Sequence, residues 1–254
     1  MLKIIKGPAG SGKSEYIFGQ MRRLAEQGRR SMLIVPESIS HLTERRLIET
    51  CGNAGTAHAS VTTFSKLTEE LLRTCGARFM DEGGRALAMY RALQSVRTGL
   101  RHYRQRTLHA DFIRRLLETV SELKACLITP EQLMHAAEEG EMPDKLRDIA
   151  VIYAVYCAEC ERGALDPGER LDKACEYIPA SGVFADAEVF VDDFSGFTAQ
   201  KYRALELILQ SCAGMTAALM MTEDRQLFAE HCEIVVFHGS ARDFGAFRHG
   251  ADRS

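Results

Sequence analysis

The apolar positions at the start of the chain follow the short, unbroken spacing of buried strands. Residues 2–6 are an apolar-rich run, residues 13–27 switch to a helical period, and Ser31-Met32-Leu33-Ile34-Val35 returns to a buried strand, which together predict a β-α-β unit. Pro36 punctuates its end; a short helix is predicted over 43–50 and a third strand over 57–62. From Ser65 to about Ile178 the spacing is helical, with no convincing strand. Phe112, Ile113, Leu116, Leu117, Val120 and Leu123 recur on one helix face, as do Ile149, Ile152, Tyr153, Tyr156 and Cys160. Thr129-Pro130-Glu131-Gln132 and Asp166-Pro167-Gly168-Glu169 each place a capping residue, a first-turn proline and a Glu or Gln three residues on, so both predict helix starts. After Gly182 the strand pattern resumes in Glu188-Val189-Phe190-Val191-Asp192-Asp193, followed by a helix over 198–212 and an apolar run over 215–221.

This order predicts an α/β fold: a parallel-sheet core in two parts, 1–64 and 181–232, interrupted by an all-α insertion over 65–180. The tail, 233–254, is rich in His, Arg, Gly and Phe, does not continue the alternation, and reads as atypical, as a frameshifted end would. Hydrophobic residues make up 46% of the 254, enough for a sizeable core. A net charge of -3 gives no global signature of a nucleic-acid or membrane-surface binder, so any DNA contact must come from a local patch. No run approaches the ~20 apolar residues of a membrane span, and the first residues lack a signal peptide, which predicts a cytoplasmic protein without membrane association. The eight cysteines are scattered like reduced thiols; Cys157-x-x-Cys160 lacks a second pair at zinc spacing and reads as a helix-face coincidence.

Candidate chemistry begins in the turn after the first strand. Gly7-Pro8-Ala9-Gly10-Ser11-Gly12-Lys13-Ser14 matches G-x-x-x-x-G-K-[ST] in full, between a predicted strand and a predicted helix, and predicts a P-loop for ATP. The glycines let backbone N–H groups converge on phosphate oxygens, and the start of the following helix favours negative charge. Lys13 is expected to reach the β- and γ-phosphates and Ser14 to ligate Mg2+. Asp192, at the end of an apolar strand, suits a second metal ligand of the Walker B kind, although strands ending in Asp are also common turn starts. Asp193 is the candidate catalytic residue. It occupies the place of the glutamate that orients water in a helicase-type ATPase and is one methylene shorter, which disfavours hydrolysis more than binding; with no second motor domain to supply an arginine finger, negligible turnover by this chain is expected.

Arg97, Arg101, Arg104, Arg106, Arg114 and Arg115 form a basic run interrupted by Tyr103, His102 and His109. Arg101, Tyr103, Arg104 and Arg106 are candidate contacts to single-stranded DNA; a solvated helix face with a loop is the competing reading.

The P-loop, then Leu33-Ile34-Val35-Pro36-Glu37 with Glu44, then Val61-Thr62-Thr63-Phe64 with Lys66-Leu67, resembles the AddB (RexB) subunit of the AddAB-type (RexAB-type) ATP-dependent helicase-nuclease. Ser121-Glu122-Leu123-Lys124, Ile128 to Leu133, Lys145 to Ala150 with Tyr153, and Val191-Asp192 with Phe194 and Phe197-Thr198 continue the likeness over roughly residues 1–230. The resemblance implies a RecA-like P-loop fold of the superfamily 1 helicase type and a role in DNA double-strand-end processing and recombinational repair. It implies a heterodimer with AddA, the motor and nuclease subunit of such a helicase-nuclease, and single-stranded or duplex-end DNA as partner. It also implies an iron-sulfur cluster and a nuclease domain in a carboxy-terminal region that this chain lacks. Ser38 departs from the family's Gln and Asp193 from its frequent Gly, and the chain is a quarter or less of the expected length. A self-sufficient small P-loop ATPase or kinase with a helical lid is the alternative, and the two differ in whether the chain turns over nucleotide.

Overall fold

The computed structural model describes residues 1–73, 76–104, 109–140, 142–162, 164–220, 232–236 and 247–248. In chain order, β1 (Leu2–Gly7), α1 (Lys13–Glu26), β2 (Ser31–Ile34), α2 (Ser40–Gly55), β3 (Ala59–Thr62) and α3 (Phe64–Leu72) come first. The helices α4 (Glu82–Val96), α5 (Ala110–Ala125), α6 (Pro130–Glu139), α7 (Pro143–Glu161), α8 (Arg170–Cys175) and α9 (Ile178–Ser181) follow. Last come β4 (Glu188–Val191), α10 (Ala199–Ser211), β5 (Gly214–Met220), β6 (Cys232–Val236) and β7 (Phe247–Arg248). The chain divides into two compact units: one formed by 1–71, 174–197 and 201–254, the other by 72–173 with 198–200.

In the first unit the described strands form one sheet in the order β3-β2-β4-β5-β1-β6-β7. All pairings are parallel except that of β6 with β7. Parallel strands are covered on both faces, which is why β2 is buried at every position and β1 buries both Ile4 and Ile5. One face is closed by Ile17, Phe18, Met21 and Leu24 of α1 and Leu47 of α2, which pack with Ile5, Leu33 and Phe190. α1 stops where Gly28 takes a left-handed φ of 68°; Gly28 N–H donates to Ala25 O at 3.0 Å and Arg29 N–H to Leu24 O at 2.9 Å, a Schellman closure. β6 lies where the sequence pattern predicts no strand. Cys232–Val236 pairs along β1, because a central strand with only one neighbour would leave its N–H and C=O groups unpaired.

The second unit is a helical bundle. Met89, Ala92 and Leu93 of α4, Leu116 and Val120 of α5, and Ile152, Tyr153, Tyr156 and Cys160 of α7 form its core, those of α5 and α7 on the faces that the sequence period marks. Thr129 caps α6 in a reciprocal box: its hydroxyl accepts the Gln132 N–H at 3.3 Å while Gln132 Oε1 accepts the Thr129 N–H at 2.9 Å. The Asp166 carboxylate accepts the Gly168 N–H at 2.6 Å and opens a 3-10 turn, Pro167–Glu169, that leads into α8. Against the expectation of helices alone, Phe79 and Leu165 form an isolated parallel bridge, with Met80 N–H on Leu165 O at 2.9 Å.

Asp166 also centres a buried polar cluster. It is fully buried, accepts the Tyr156 hydroxyl, and lies 3.3 Å from Arg85 and 3.8 Å from Lys124. Lys124 reaches Glu169 at 2.6 Å and Arg85 donates to Ser121 at 2.7 Å, so α4, α5, α7 and the turn before α8 are joined through charge-assisted bonds. Cys157 and Cys160 sit one turn apart on α7, and burial pushes each thiol up to about 11. No described helix is long and apolar enough to cross a membrane.

Candidate functional site

The glycine loop leaves β1 at the carboxyl edge of the sheet, where parallel α/β folds place their ligands. Gly10 and Gly12 take φ values of 74° and 91°, a region that costs other L-residues about 1–2 kcal/mol. A side chain there would meet nothing within 4 Å, so glycine is required by the turn and leaves open space above it. Ser11 N–H closes the turn on Pro8 O at 3.3 Å. Gly12 then caps α1 without any side-chain oxygen, and the first-turn N–H groups of α1 face a place suited to an anion.

Lys13 folds back over this turn, its Nζ donating to Gly7 O and Pro8 O at 2.8 Å each. Ser11 is 6% exposed, and its buried hydroxyl has no hydrogen-bond partner among the described residues. A buried polar atom without a protein partner is uncommon, and at this turn the hydroxyl is free to bond a water or a polar ligand.

Asp192 extends from β4, and Ala218 of the intervening strand β5 lines the same cavity. Asp192 is 6% exposed. Burial raises its carboxyl above the ordinary aspartate range, against the hydrogen bond from Ser14, the Asp193 N–H at 2.9 Å and the charge of Lys13; the charge of Asp193 adds to the rise. A carboxylate held at this cost beside a serine hydroxyl is a ready pair of hard oxygen ligands. Asp193 has a left-handed φ of 65°.

Ala9, Gly10, Ser11, Gly12, Lys13, Ser14, Asp192 and Asp193 thus line a single cavity of about 380 Å³, and Gly7 and Pro8 anchor the lysine at its edge. The cavity also takes in Glu15, Arg46 and Phe194, none of which the motif pattern marks. Glu15 lies one residue beyond the motif, but Arg46 arrives by the packing of α2, which no spacing in the sequence announces.

The candidate DNA contacts lie in the helical unit. Asp148, buried on α7, accepts the backbone N–H groups of Arg101, His102 and Tyr103 at 2.8–3.0 Å and fixes that segment. The Arg101 guanidinium pairs with Asp144 at 2.9 Å, and the Tyr103 ring packs 5.2 Å from Phe112 and 4.7 Å from His102. Arg104 is exposed, and Arg106 falls outside the described residues. Tyr103, His102, Arg115 and Lys145 border one open cleft, which Arg101 and Arg104 do not line.

A family model described as ADDB, N-terminal, matches residues 4–253. The chain is similar to the B subunit of the ATP-dependent helicase/deoxyribonuclease of Clostridium kluyveri, 28% identical over 228 residues that cover 87% of this chain and 20% of that protein. The proteins of the same description from Thermoanaerobacter sp. and Clostridium tetani are 28% and 30% identical, over 87% and 82% of this chain and 20% and 19% of theirs. The chain therefore spans about a fifth of the length of these curated relatives.

Proposed function

The chain belongs to the AddB amino-terminal family, and from that premise we propose that it is the ATP-binding amino-terminal part of the AddB subunit of a helicase-nuclease. In this reading it serves DNA double-strand-end processing and recombinational repair in the cytoplasm, as a nucleotide-binding and DNA-contacting scaffold beside its heterodimer partner AddA. The observation that carries it is the convergence of the glycine loop, the unpartnered Ser11 hydroxyl, Lys13 and the Ser14–Asp192 pair on one cavity at the carboxyl edge of a parallel sheet. The words ATP-dependent and helicase/deoxyribonuclease in the relatives' descriptions support the same nucleotide and the same class of polymer.

The fold is read as a RecA-like P-loop core of the superfamily 1 helicase type. The loop N–H groups and Lys13 would hold the phosphates, and Ser14 and Asp192 would hold Mg2+, which supplies charge neutralisation between phosphate oxygens when bound. The shorter side chain of Asp193 argues for binding with little hydrolysis. Arg101, Tyr103, Arg104 and Arg106 are proposed as contacts to single-stranded or duplex-end DNA. The nuclease domain and its iron-sulfur cluster would belong to the carboxy-terminal region of such a subunit.

Equilibrium binding of ATP to the purified chain, together with phosphate release, tests this reading. Wild type should bind ATP, Lys13→Ala should weaken binding at least about tenfold, the loss expected for a charge-assisted phosphate contact, and turnover should stay far below ~1 per second, the low end of ordinary enzymes. Absence of ATP binding overturns the reading. Turnover near ~1 per second that Lys13→Ala abolishes would instead favour a self-sufficient P-loop enzyme.

A further inference from the structure

Among the described residues the cavity brings together two cations, Lys13 and Arg46, and three carboxylates, Glu15, Asp192 and Asp193. A triphosphate with its metal ion adds further negative charge, and Lys13 is the one cation of the motif. Arg46 is the other, held in a particular way. Its guanidinium pairs with the Glu15 carboxylate in the first turn of α1, and its Cζ lies 4.6 Å from the centre of the Phe18 ring. The Arg46 and Glu15 side chains are 39% and 61% exposed, so their ion pair is of the solvent-screened, weakly stabilising kind and readily exchanged. The buried Phe18 ring gives the guanidinium a second contact beside the cavity, one that does not itself require an anion.

We propose that Arg46 is a second cationic contact to the polyphosphate of a nucleoside triphosphate, and that Glu15 competes with the nucleotide for it. The proposal rests on reading the glycine loop as a nucleotide site and adds a residue that moves from an internal partner to the ligand. A planar fork with several donors matches phosphate oxygens at least as well as it matches a carboxylate. Glu15 therefore acts as an internal competitor, setting affinity below what the same site would have without it.

Titration of a fluorescent ATP analogue with Mg2+, and of the corresponding AMP analogue, against wild type, Arg46→Gln, Arg46→Lys, Glu15→Gln, the double variant Glu15→Gln/Arg46→Gln and Lys13→Ala tests this, with thermal melting to establish that each is folded. Arg46→Gln should weaken the ATP analogue about tenfold and the AMP analogue less than about twofold, with Arg46→Lys between wild type and Arg46→Gln. Glu15→Gln should tighten the ATP analogue several-fold. The double variant decides the matter, because it must remain weaker than wild type if Arg46 touches the nucleotide. Recovery of the double variant to wild-type affinity or better overturns the proposal and leaves Arg46 as a neutraliser of Glu15. An equal loss with both analogues also overturns it. If wild type binds neither analogue, or Lys13→Ala binds as wild type does, the nucleotide reading itself falls and this proposal with it.

Discussion

Asp193 sits in the left-handed region with its side chain exposed, beside a buried carboxylate whose pKa its own charge raises. The backbone geometry accounts physically for a glycine preference at this position: glycine adopts such a φ at no steric cost, whereas other residues pay for it. Asp193→Gly relieves a left-handed penalty of about 1–2 kcal/mol against about 0.4–1 kcal/mol of added freedom in the unfolded chain, so it should raise stability by about 0.5–1 kcal/mol net, and it should lower the Asp192 pKa by removing the neighbouring charge. Chemical denaturation of the two proteins checks the first outcome. Loss of stability in Asp193→Gly would show that the side chain holds the turn in a way the backbone angle does not convey. At this scale the motif residues are legible in the sequence because their chemistry is local: two left-handed glycines, a lysine and a serine follow one another in the chain. Arg46 is not, because its place at the cavity depends on the packing of α2 against α1.

Between elements, the cluster around Asp166 determines how the helical unit responds to pH. Burial opposes the Asp166 charge, but the Tyr156 hydroxyl, Lys124, the Gly168 N–H and Arg85 together hold its carboxyl below the usual 3.8. Burial, and then the bond to Asp166, push the Tyr156 phenol well above its usual 10.0. A carboxyl with a depressed folded pKa stabilises the protein above its unfolded pKa and ceases to do so as pH falls through the folded value. A phenol with a raised folded pKa stabilises below its unfolded value and is lost as pH climbs past it. The cluster's contribution should therefore be full between about pH 4 and pH 10 and decline on both sides. Asp166→Asn, which leaves Arg85 and Lys124 without the carboxylate they share, should cost about 3–5 kcal/mol in urea denaturation at neutral pH. A loss below about 1 kcal/mol, the range of surface pairs, would contradict this role for the cluster.

Several residues that carry the family resemblance prove to hold elements together. Glu37 accepts the Ser65 hydroxyl at 2.8 Å, Lys66 reaches Glu44 at 2.6 Å, and the Tyr153 hydroxyl donates to Ile128 O at 3.2 Å. These pairs join residues up to 28 positions apart, so the sequence displays the partners without displaying the bond. Helix starts are easier to read. The Thr129 box needs only four consecutive residues, and it closes as its pattern predicts.

For the whole molecule, the alternation of strand and helical regions is legible as far as β5 in the hydrophobic period together with its prolines and caps. The sheet order does not, since β5 slots between β4 and β1 through crossovers that leave no mark on the pattern. β6 escapes the pattern although Ile234, Val235 and Val236 are an apolar run, because the surrounding composition obscures it. What the assembled sheet adds to the motif is the approach of Asp192, 179 positions after Lys13 in the chain, to the hydroxyl of Ser14. That meeting, more than the glycine loop alone, is what the proposed metal-nucleotide site rests on.

Calorimetric titration of ATP into wild type and Asp192→Asn, each with and without Mg2+, addresses that meeting without an intermediary. Mg2+ should strengthen ATP binding to wild type at least about tenfold, and Asp192→Asn should abolish this gain. The variant should be as stable as wild type or more so by up to about 1 kcal/mol, since burial disfavours the carboxylate it replaces. ATP binding that ignores both Mg2+ and the substitution would contradict the claim that the glycine loop and Asp192 form one site.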